Sequence, residues 1–304
     1  MDTRKALDGR ASGIMLVLCL IWGLQQVVLK AAAPDIAPLM QIALRSGIAA
    51  LLVGLLMAWR KEPMPFTDAT WRPGLLVGFL FALEFLLVGE GLRYTLASHM
   101  VVFLYTAPIF VALGLHWKLP DERLSAIQWL GIALAFVGIV VSFFGRAGQA
   151  GAVEPKHILR GDLLAILAGI AWAATTVVVR CSSLARAAAS QTLLYQLIVA
   201  FVLLLSAAFW LGQTAIRPTP MAWGSMLFQS LLVSFASFLL WFWLLRHYLA
   251  SRLSVFSFMT PLFGTVFGVW LLNDPLAPSF VAGAVLVLAG VTMVSRRGWP
   301  KLRR

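Results

Sequence analysis

Glu84 carries the most conspicuous chemistry in the sequence, because it places a carboxylate inside a long apolar run. A carboxylate at mid-membrane depth costs several kcal/mol unless it is protonated, paired or in contact with water. Arg45, in the preceding apolar run, lies at a similar depth of about 12 Å, since each helical residue rises about 1.5 Å. Two interpretations are open: an internal ion pair that orients neighbouring helices, and a site that binds a substrate or a proton.

Two tryptophans begin stripes of polar side chains on predicted helices. Gln25 follows Trp22 by three residues and Thr176 follows Trp172 by four, so each polar group shares a helix face with a ring. A large ring beside polar groups suits a solute with an apolar body and a polar head. The alternative is that such polar side chains only form hydrogen bonds between helices. The candidate substrate-binding residues are Trp22, Gln25, Glu84, Tyr105, Trp172, Thr176, Ser237 and Trp241.

The motifs of common enzymes are missing from the sequence. It contains no HExxH motif, no catalytic Cys/His pairing, no paired membrane aspartates and no phosphate-binding P-loop. Cys19 and Cys181 lack the spacing of metal ligands, which favours a minor structural role in the reduced state. We therefore expect no catalytic residue, no metal and no cofactor, and energy input only from gradients.

One stretch of the sequence occurs twice. Residues 93–108 read RYTLASHMVVFLYTAP and residues 246–261 read RHYLASRLSVFSFMTP, an offset of 153. The duplication includes a proline inside an apolar run, Pro108 and Pro261. Matched proline-interrupted segments in two halves of a membrane protein indicate a transport site, whereas a single proline is often only a packing kink. Pro108 and Pro261 are therefore the candidate gating residues.

The composition indicates a membrane protein. The chain is 61% hydrophobic and only 12% charged, far from the quarter charged that is usual in soluble domains. Runs of about 20 apolar residues span a hydrocarbon core roughly 30 Å thick. The sequence predicts ten such helices, at about 12–30, 37–59, 72–92, 97–116, 125–144, 160–180, 190–210, 222–247, 252–271 and 278–294.

Charge sets the expected orientation of these helices. Most of the 24 Lys and Arg residues fall on one side of the predicted membrane, which the positive-inside rule makes the cytoplasmic side. Both termini are then cytoplasmic. The net charge of +12 occurs in short clusters between apolar runs and not on a solvent-exposed face, so we expect no nucleic-acid binding.

The duplication extends over whole halves of the chain. Because five helices is an odd number, the second half enters the membrane from the opposite side, which gives an inverted repeat. The predicted fold is an all-α membrane protein of ten transmembrane helices in two inverted five-helix repeats, residues 1–145 and 146–304. Other matched positions are Trp22 with Trp172, Gly131 with Gly283, and Gly138 with Gly290. These glycines are expected to serve helix packing or a dimer contact.

Several short motifs together resemble the drug/metabolite transporter superfamily in its ten-helix, EamA-type form. They are Ile21-Trp22-Gly23, Ala43-Leu44-Arg45, the RYTLAS turn with Thr106-Ala107-Pro108, and the segment DERLS at 121–125. The second half departs from the pattern, with Tyr195 at the position of Arg45 and Asn273-Asp274-Pro275 in place of an acidic turn. Such departures suggest that the halves have specialised.

The resemblance implies a secondary transporter in the inner membrane of a bacterium, working by alternating access and similar to exporters of amino acids, including aromatic ones. The expected partners are the lipid bilayer and a small-molecule substrate, an amino acid, with the chain a monomer or a homodimer. The alternative is a proton-coupled exporter of drug-like cations or other small metabolites, in which Glu84 exchanges protons for substrate. His99, expected near the outer surface, is a further candidate for proton coupling.

Overall fold

The computed structural model describes residues 8–62, 70–118, 124–144, 155–247, 257 and 259–295. The regular structure of these residues is helical, apart from one isolated bridge between Ile36 and Ile216. The helices are α1 (Gly9–Ala31), α2 (Pro38–Trp59), α3 (Trp71–Gly91), α4 (Ala97–Leu104), α5 (Ala107–Lys118), α6 (Ala126–Phe144), α7 (Pro155–Arg180), α8 (Ala189–Trp210), α9 (Pro220–Leu227), α10 (Phe238–His247), α11 (Met259–Leu272) and α12 (Pro278–Ser295). A π-helical segment, Phe228–Ser237, joins α9 to α10, and a 3-10 turn, Ser183–Arg186, follows α7.

Seven helical segments in the described residues are long and apolar enough to cross a membrane. Two of them are composite, because 97–118 combines α4 with α5 and 220–241 continues from α9 through the π segment into α10. Three shorter apolar helices are Ala126–Val141, Met259–Leu272 and Pro278–Met293. The protein is thus an all-helical, multi-pass membrane protein, while the number of ten spanning helices stays a prediction.

Large apolar side chains cover the outward faces of the helices. Leu51 is 70% exposed, Phe209 is 65% exposed and Val285 is 60% exposed. A continuous apolar surface of this kind is unusual on a monomeric soluble protein and is the expected surface in contact with lipid. The polar side chains Gln41, Arg45 and Glu84 are instead buried inside the bundle.

Glycines bring α6 and α12 into close backbone contact. A Cβ atom on Gly138 would lie 2.6 Å from the carbonyl oxygen of Gly283, and one on Gly290 would collide with the carbonyl oxygen of Gly131. Small residues allow helix backbones to approach in this way. The matched glycines therefore serve packing within the chain.

The remaining helix contacts occur in matched sets. Helix α1 packs on α11, and its counterpart in the second half, α7, packs on α4 and α5. Likewise α3 packs on α8, and α2 packs on the π segment. Two five-helix halves related by a pseudo-two-fold axis would produce this pattern. The inverted topology itself stays a prediction, and so do the boundaries 1–145 and 146–304.

The duplicated turn is described in its first copy. There Arg93 forms an exposed ion pair with Glu90 at 2.9 Å, as suits a residue at the membrane boundary. Most of the second copy, residues 248–256 and 258, lies outside the described residues, and so does the acidic segment 121–123.

Candidate substrate site

Three candidate residues meet where α1 contacts the π segment and α10. The indole Nε1 of Trp22 donates a hydrogen bond to the Oγ of Ser237 at 2.9 Å, and the rings of Trp22 and Trp241 pack edge to face at 5.7 Å. Ser237 is fully buried and donates in turn to the carbonyl oxygen of Val233 at 2.5 Å. Its hydroxyl is thus engaged as acceptor and donor, and its role is to fix the orientation of Trp22.

A second aromatic group lies between α4 and α7. The rings of Tyr105 and Trp172 pack edge to face at 5.2 Å, and Tyr105 lies within electrostatic reach of Glu84. Thr176 donates its hydroxyl proton to the carbonyl oxygen of Trp172 at 3.1 Å, inside its own helix. Tyr105, Trp172 and Glu84 are thus brought together, whereas the hydroxyl proton of Thr176 is used locally.

The two groups correspond through the sequence duplication. The offset of 153 places Ser237 at the position of Glu84, and the offset of 150 places Trp172 at the position of Trp22. The sequence positions that correspond to Trp22 and Ser237 are therefore Trp172 and Glu84. One half of the chain supplies a hydroxyl at this position and the other supplies a carboxylate.

Arg45 and Glu84 are buried without a direct ion pair among the described residues. The Nη1 of Arg45 donates to the Oε1 of Gln229 at 2.5 Å, and its guanidinium lies 4.4 Å from the ring centroid of Phe85. The guanidinium contacts an amide and an aromatic face, and it also interacts electrostatically with the Glu84 carboxylate, so an internal pairing of the two residues stays a prediction. Glu84 is 6% exposed and has no hydrogen-bond partner in the part of the chain that the structure describes.

Gln229 is a site residue that sequence reasoning missed. Besides accepting from Arg45, it donates through Nε2 to the backbone carbonyl oxygen of Gln25 at 2.9 Å, so it links α1, α2 and the π segment. Residues 229, 233 and 237 are four apart, a spacing that could have extended the polar stripe from Ser237. The π-helical winding, which is frequent at functional sites, has no comparable signal in the sequence.

Several buried polar atoms around this junction have no partner among the described residues. Leaving a buried polar group unpaired costs about 1–3 kcal/mol, so such groups are rare unless they serve a function. A polar solute in the bundle would find hydrogen-bonding groups here. These atoms are Gln26 Oε1, Arg45 Nε and Ser230 Oγ.

The two candidate gating prolines lie within helices, and Pro108 stands at a helix start. Helix α4 ends at Leu104 and α5 begins at Ala107, so Pro108 is the second residue of α5 and the helix is interrupted at Tyr105. Proline is tolerated at this place because the first helical N–H groups have no intrahelical partner. Pro261 is the third residue of α11, and the residues preceding α11 lie largely outside the described ranges.

A cluster of polar residues at the N-terminal end of α4 connects the first half of the chain with the second. We define the α4 cluster as Lys30, Thr95, Ser98, His99, Asp162 and Asp274. His99 Nδ1 lies 3.1 Å from Asp162 Oδ2, and Asp162 also accepts from the Thr95 hydroxyl. Lys30 donates to the carbonyl oxygen of Thr95. Asp274 accepts from the backbone N–H of Ser98 at 3.0 Å and from its hydroxyl at 2.9 Å.

His99 is packed inside the protein. Its side chain is buried and stacks on the ring of Phe280 with centroids 3.9 Å apart, and its expected depth near the outer membrane surface stays a prediction. The carboxylate of Asp162 and the aromatic contact compensate the burial. Asp162 and Asp274 were not recognised from the sequence, because each lies close to a predicted boundary and reads as a solvated charge. No group of three or more His, Cys, Asp or Glu in the described residues could hold a metal ion.

The comparison with protein families gives a match over both halves of the chain. The model described as the EamA-like transporter family matches residues 10–144 and again residues 159–296. The chain belongs to the EamA-like transporter family. The resemblance to the drug/metabolite transporter superfamily that the sequence motifs indicated is thereby confirmed.

Known relatives of this EamA-like protein are named as transporters, which argues against an enzyme. YoaV of Bacillus subtilis (strain 168), an uncharacterized transporter, is 23% identical over 280 residues, 92% of this chain and 94% of its own. A protein of Salmonella typhimurium (strain LT2) named "probable amino-acid metabolite efflux pump" is 26% identical over 288 residues, 91% of this chain and 92% of its own. A protein of known crystal structure shares the fold, with a TM-score of 0.66 at 16% identity, covering 94% of this chain and 96% of that chain.

Proposed function

We propose that this EamA-like protein is a secondary transporter that exports amino acids, aromatic or otherwise apolar, by alternating access around a cavity between its halves. The observation that carries the proposal is Glu84, a buried carboxylate without a hydrogen-bond partner among the described residues, beside the Tyr105–Trp172 pair. A relative named as an amino-acid metabolite efflux pump supports the same solute class.

An amino acid suits the groups around Glu84. Its ammonium would pair with the Glu84 carboxylate, and its apolar side chain would lie against the rings of Trp22, Tyr105 and Trp172. Its carboxylate would accept from the unpaired Nε of Arg45 or from backbone N–H groups at the first turn of α5. Gln25 and Gln229 would hold these helices in register through their hydrogen bond.

Alternating access requires elements that bend and an end that opens. The interruption between α4 and α5 and the π segment are the irregular stretches within the described spans, and both lie beside candidate residues. The α4 cluster closes one end through contacts between the first half and Asp162 and Asp274 of the second. In our proposal this end, extracellular by the charge distribution, opens when the opposite end closes.

The flux of labelled amino acids into and out of proteoliposomes tests the proposal. We expect the wild-type protein to carry at least one apolar amino acid and Glu84→Gln to lose most of that flux, because the amide no longer attracts the ammonium. Glu90→Gln on the same helix is the matched control, since Glu90 is engaged by Arg93 and Gln213 at the membrane boundary. Absence of flux for all twenty amino acids would contradict the assignment.

The buried carboxylate of Glu84 also supports a second candidate function. A proton-coupled exporter of drug-like cations would use Glu84 to bind protons and cations in turn. In the same vesicles such a protein would transport an organic cation in exchange for protons that move down an imposed pH gradient. Glu84→Gln would abolish that coupling. Flux of amino acids without movement of organic cations would exclude this alternative.

The proposal also includes the membrane topology of the chain and its location in the cell. Two inverted five-helix repeats, residues 1–145 and 146–304, would place both termini in the cytoplasm, and the double match of the family model supports two repeats. The bacterial inner membrane is the location that fits such a protein, with the chain as a monomer or a homodimer. Alkaline phosphatase fusions at either terminus should be inactive if both termini are cytoplasmic.

A further inference from the structure

A crevice on the lipid-facing side lies between the beginning of α3 and the ends of α5 and α7. Its volume is about 410 Å³ and it is open on one side. Apolar side chains form its walls: Pro73 and Leu76 from α3, and Val177 and Val178 from α7. Because α3 and α5 belong to the first half of the chain and α7 to the second, the crevice straddles their junction.

Two cationic side chains line the crevice, and no carboxylate does among the residues that the structure describes. Arg72 and Lys118 are both exposed. Arg72 stands in the first turn of α3, where the helix dipole already carries positive partial charge, so a cation there is unfavourable unless an anion compensates it. The charge of the crevice is thus complementary to an anion, whereas its walls are complementary to hydrocarbon.

The depth of the crevice in the membrane follows from two tryptophans. Trp71 precedes Arg72 and is 44% exposed, and Trp117 precedes Lys118 and is 77% exposed. Exposed tryptophans beside basic residues mark the level of the lipid headgroups. By the distribution of positive charge this is the cytoplasmic boundary.

We propose that the crevice binds an anionic phospholipid. The phosphate contacts Arg72 and Lys118, and one acyl chain lies against Leu76, Val177 and Val178. Basic pockets between transmembrane helices at the cytoplasmic side are suited to anionic headgroups. The proposal does not depend on which solute is transported, and a bound lipid would contact both halves of the transporter.

A native cysteine reports on occupancy of the crevice. Cys181 lines it and is exposed, whereas Cys19 is buried. The probe is N-ethylmaleimide, applied to the protein in nanodiscs of phosphatidylcholine with or without phosphatidylglycerol, and labelling is assigned by peptide mass spectrometry. We expect phosphatidylglycerol to slow the labelling of Cys181 at least threefold in the wild-type protein, and to leave the double variant Arg72→Gln/Lys118→Gln unaffected.

The control is Arg60→Gln, which removes an exposed cation outside the crevice. This variant should keep the wild-type protection of Cys181, because the residues of the crevice are unchanged. If surface charge in general caused the protection, Arg60→Gln would weaken it as well. Equal slowing in the wild-type protein and the double variant, or no slowing in either, would overturn the proposal. Native mass spectrometry gives an independent readout: phosphatidylglycerol should stay bound to the wild-type protein and to Arg60→Gln, and its equal retention by the double variant would overturn the proposal too.

Discussion

At the scale of single residues, the duplicated positions Glu84 and Ser237 have diverged in role. Ser237 accepts from Trp22 and donates to its own helix, so both of its hydrogen-bonding capacities are used inside the protein. Glu84 has no such partner among the described residues. At these two matched sequence positions, one half of the chain thus has a hydroxyl used within the protein and the other has a carboxylate.

The Trp22–Ser237 hydrogen bond is expected to contribute modestly to stability. Interhelical hydrogen bonds in membranes average about 0.6 kcal/mol, so Trp22→Phe and Ser237→Ala should each lower the free energy of unfolding by about 0.5–1 kcal/mol. The double variant should lose little more than either single variant, because both remove the same bond. Reversible unfolding in mixed detergent measures this, and fully additive losses would mean that the bond contributes nothing.

At the scale of helices, close contact through glycine determines how α6 and α12 pair. Gly138 and Gly290 each face the backbone of the partner helix, so a side chain there has no flexible neighbour that could move aside. Overpacking of this kind costs about 1–3 kcal/mol. The pairing of α6 with α12 is thus specified by small residues at matched positions in the sequence.

Gly290→Ala should therefore lower the melting temperature of the detergent-solubilised protein by several degrees. Gly54→Ala is the matched control, because a Cβ on Gly54 meets no atom within 4 Å. That substitution should leave the melting temperature unchanged or raise it slightly, since alanine is favoured over glycine inside a helix by about 0.5–1 kcal/mol. Equal effects of the two substitutions would show that α6 and α12 do not pack as described.

The sequence predicted these helices far better than it predicted their polar partners. Apolar runs and glycines seven residues apart are local patterns: the runs located the helices, and the glycines indicated a packing face without indicating which helix it contacts. The Arg45–Gln229 hydrogen bond joins residues 184 positions apart, and a polar stripe indicates the face of a helix without indicating its partner. The π segment and the burial of His99 against Asp162 depend on tertiary packing, which no local pattern encodes.

At the scale of the whole molecule, the α4 cluster connects the first half of the chain with the second at one end of the bundle. It joins α1, α4, α7 and the segment before α12 through buried charged and polar groups. A transporter must break such contacts in order to expose its cavity on that side. Weakening the cluster should therefore shift the population towards states open at that end.

Asp162→Asn tests this control of opening, because asparagine keeps the shape of the side chain but removes its charge. In a Cys181→Ser background with Val102→Cys, a membrane-impermeant thiol reagent added from outside should label position 102 several-fold faster after this change. Val102 is 1% exposed in the described conformation, so its labelling reports opening. Asp8→Asn is the control, since Asp8 lies at the opposite end of α1, where its side chain accepts from the backbone N–H of Ala11. Unchanged labelling would mean that the cluster does not hold this end closed.

The contacts between Arg45 and Gln229, between His99 and Asp162 and between Ser98 and Asp274 all cross from the first half of the chain to the second. The first five helices are synthesised before any of these partners exists. A buried arginine and histidine in a newly inserted half then have to be satisfied by water, lipid headgroups or the insertion machinery. Biogenesis of the protein thus includes an interval in which half of the bundle is in the membrane with its interior polar groups unpaired, and arrival of the second half ends that interval.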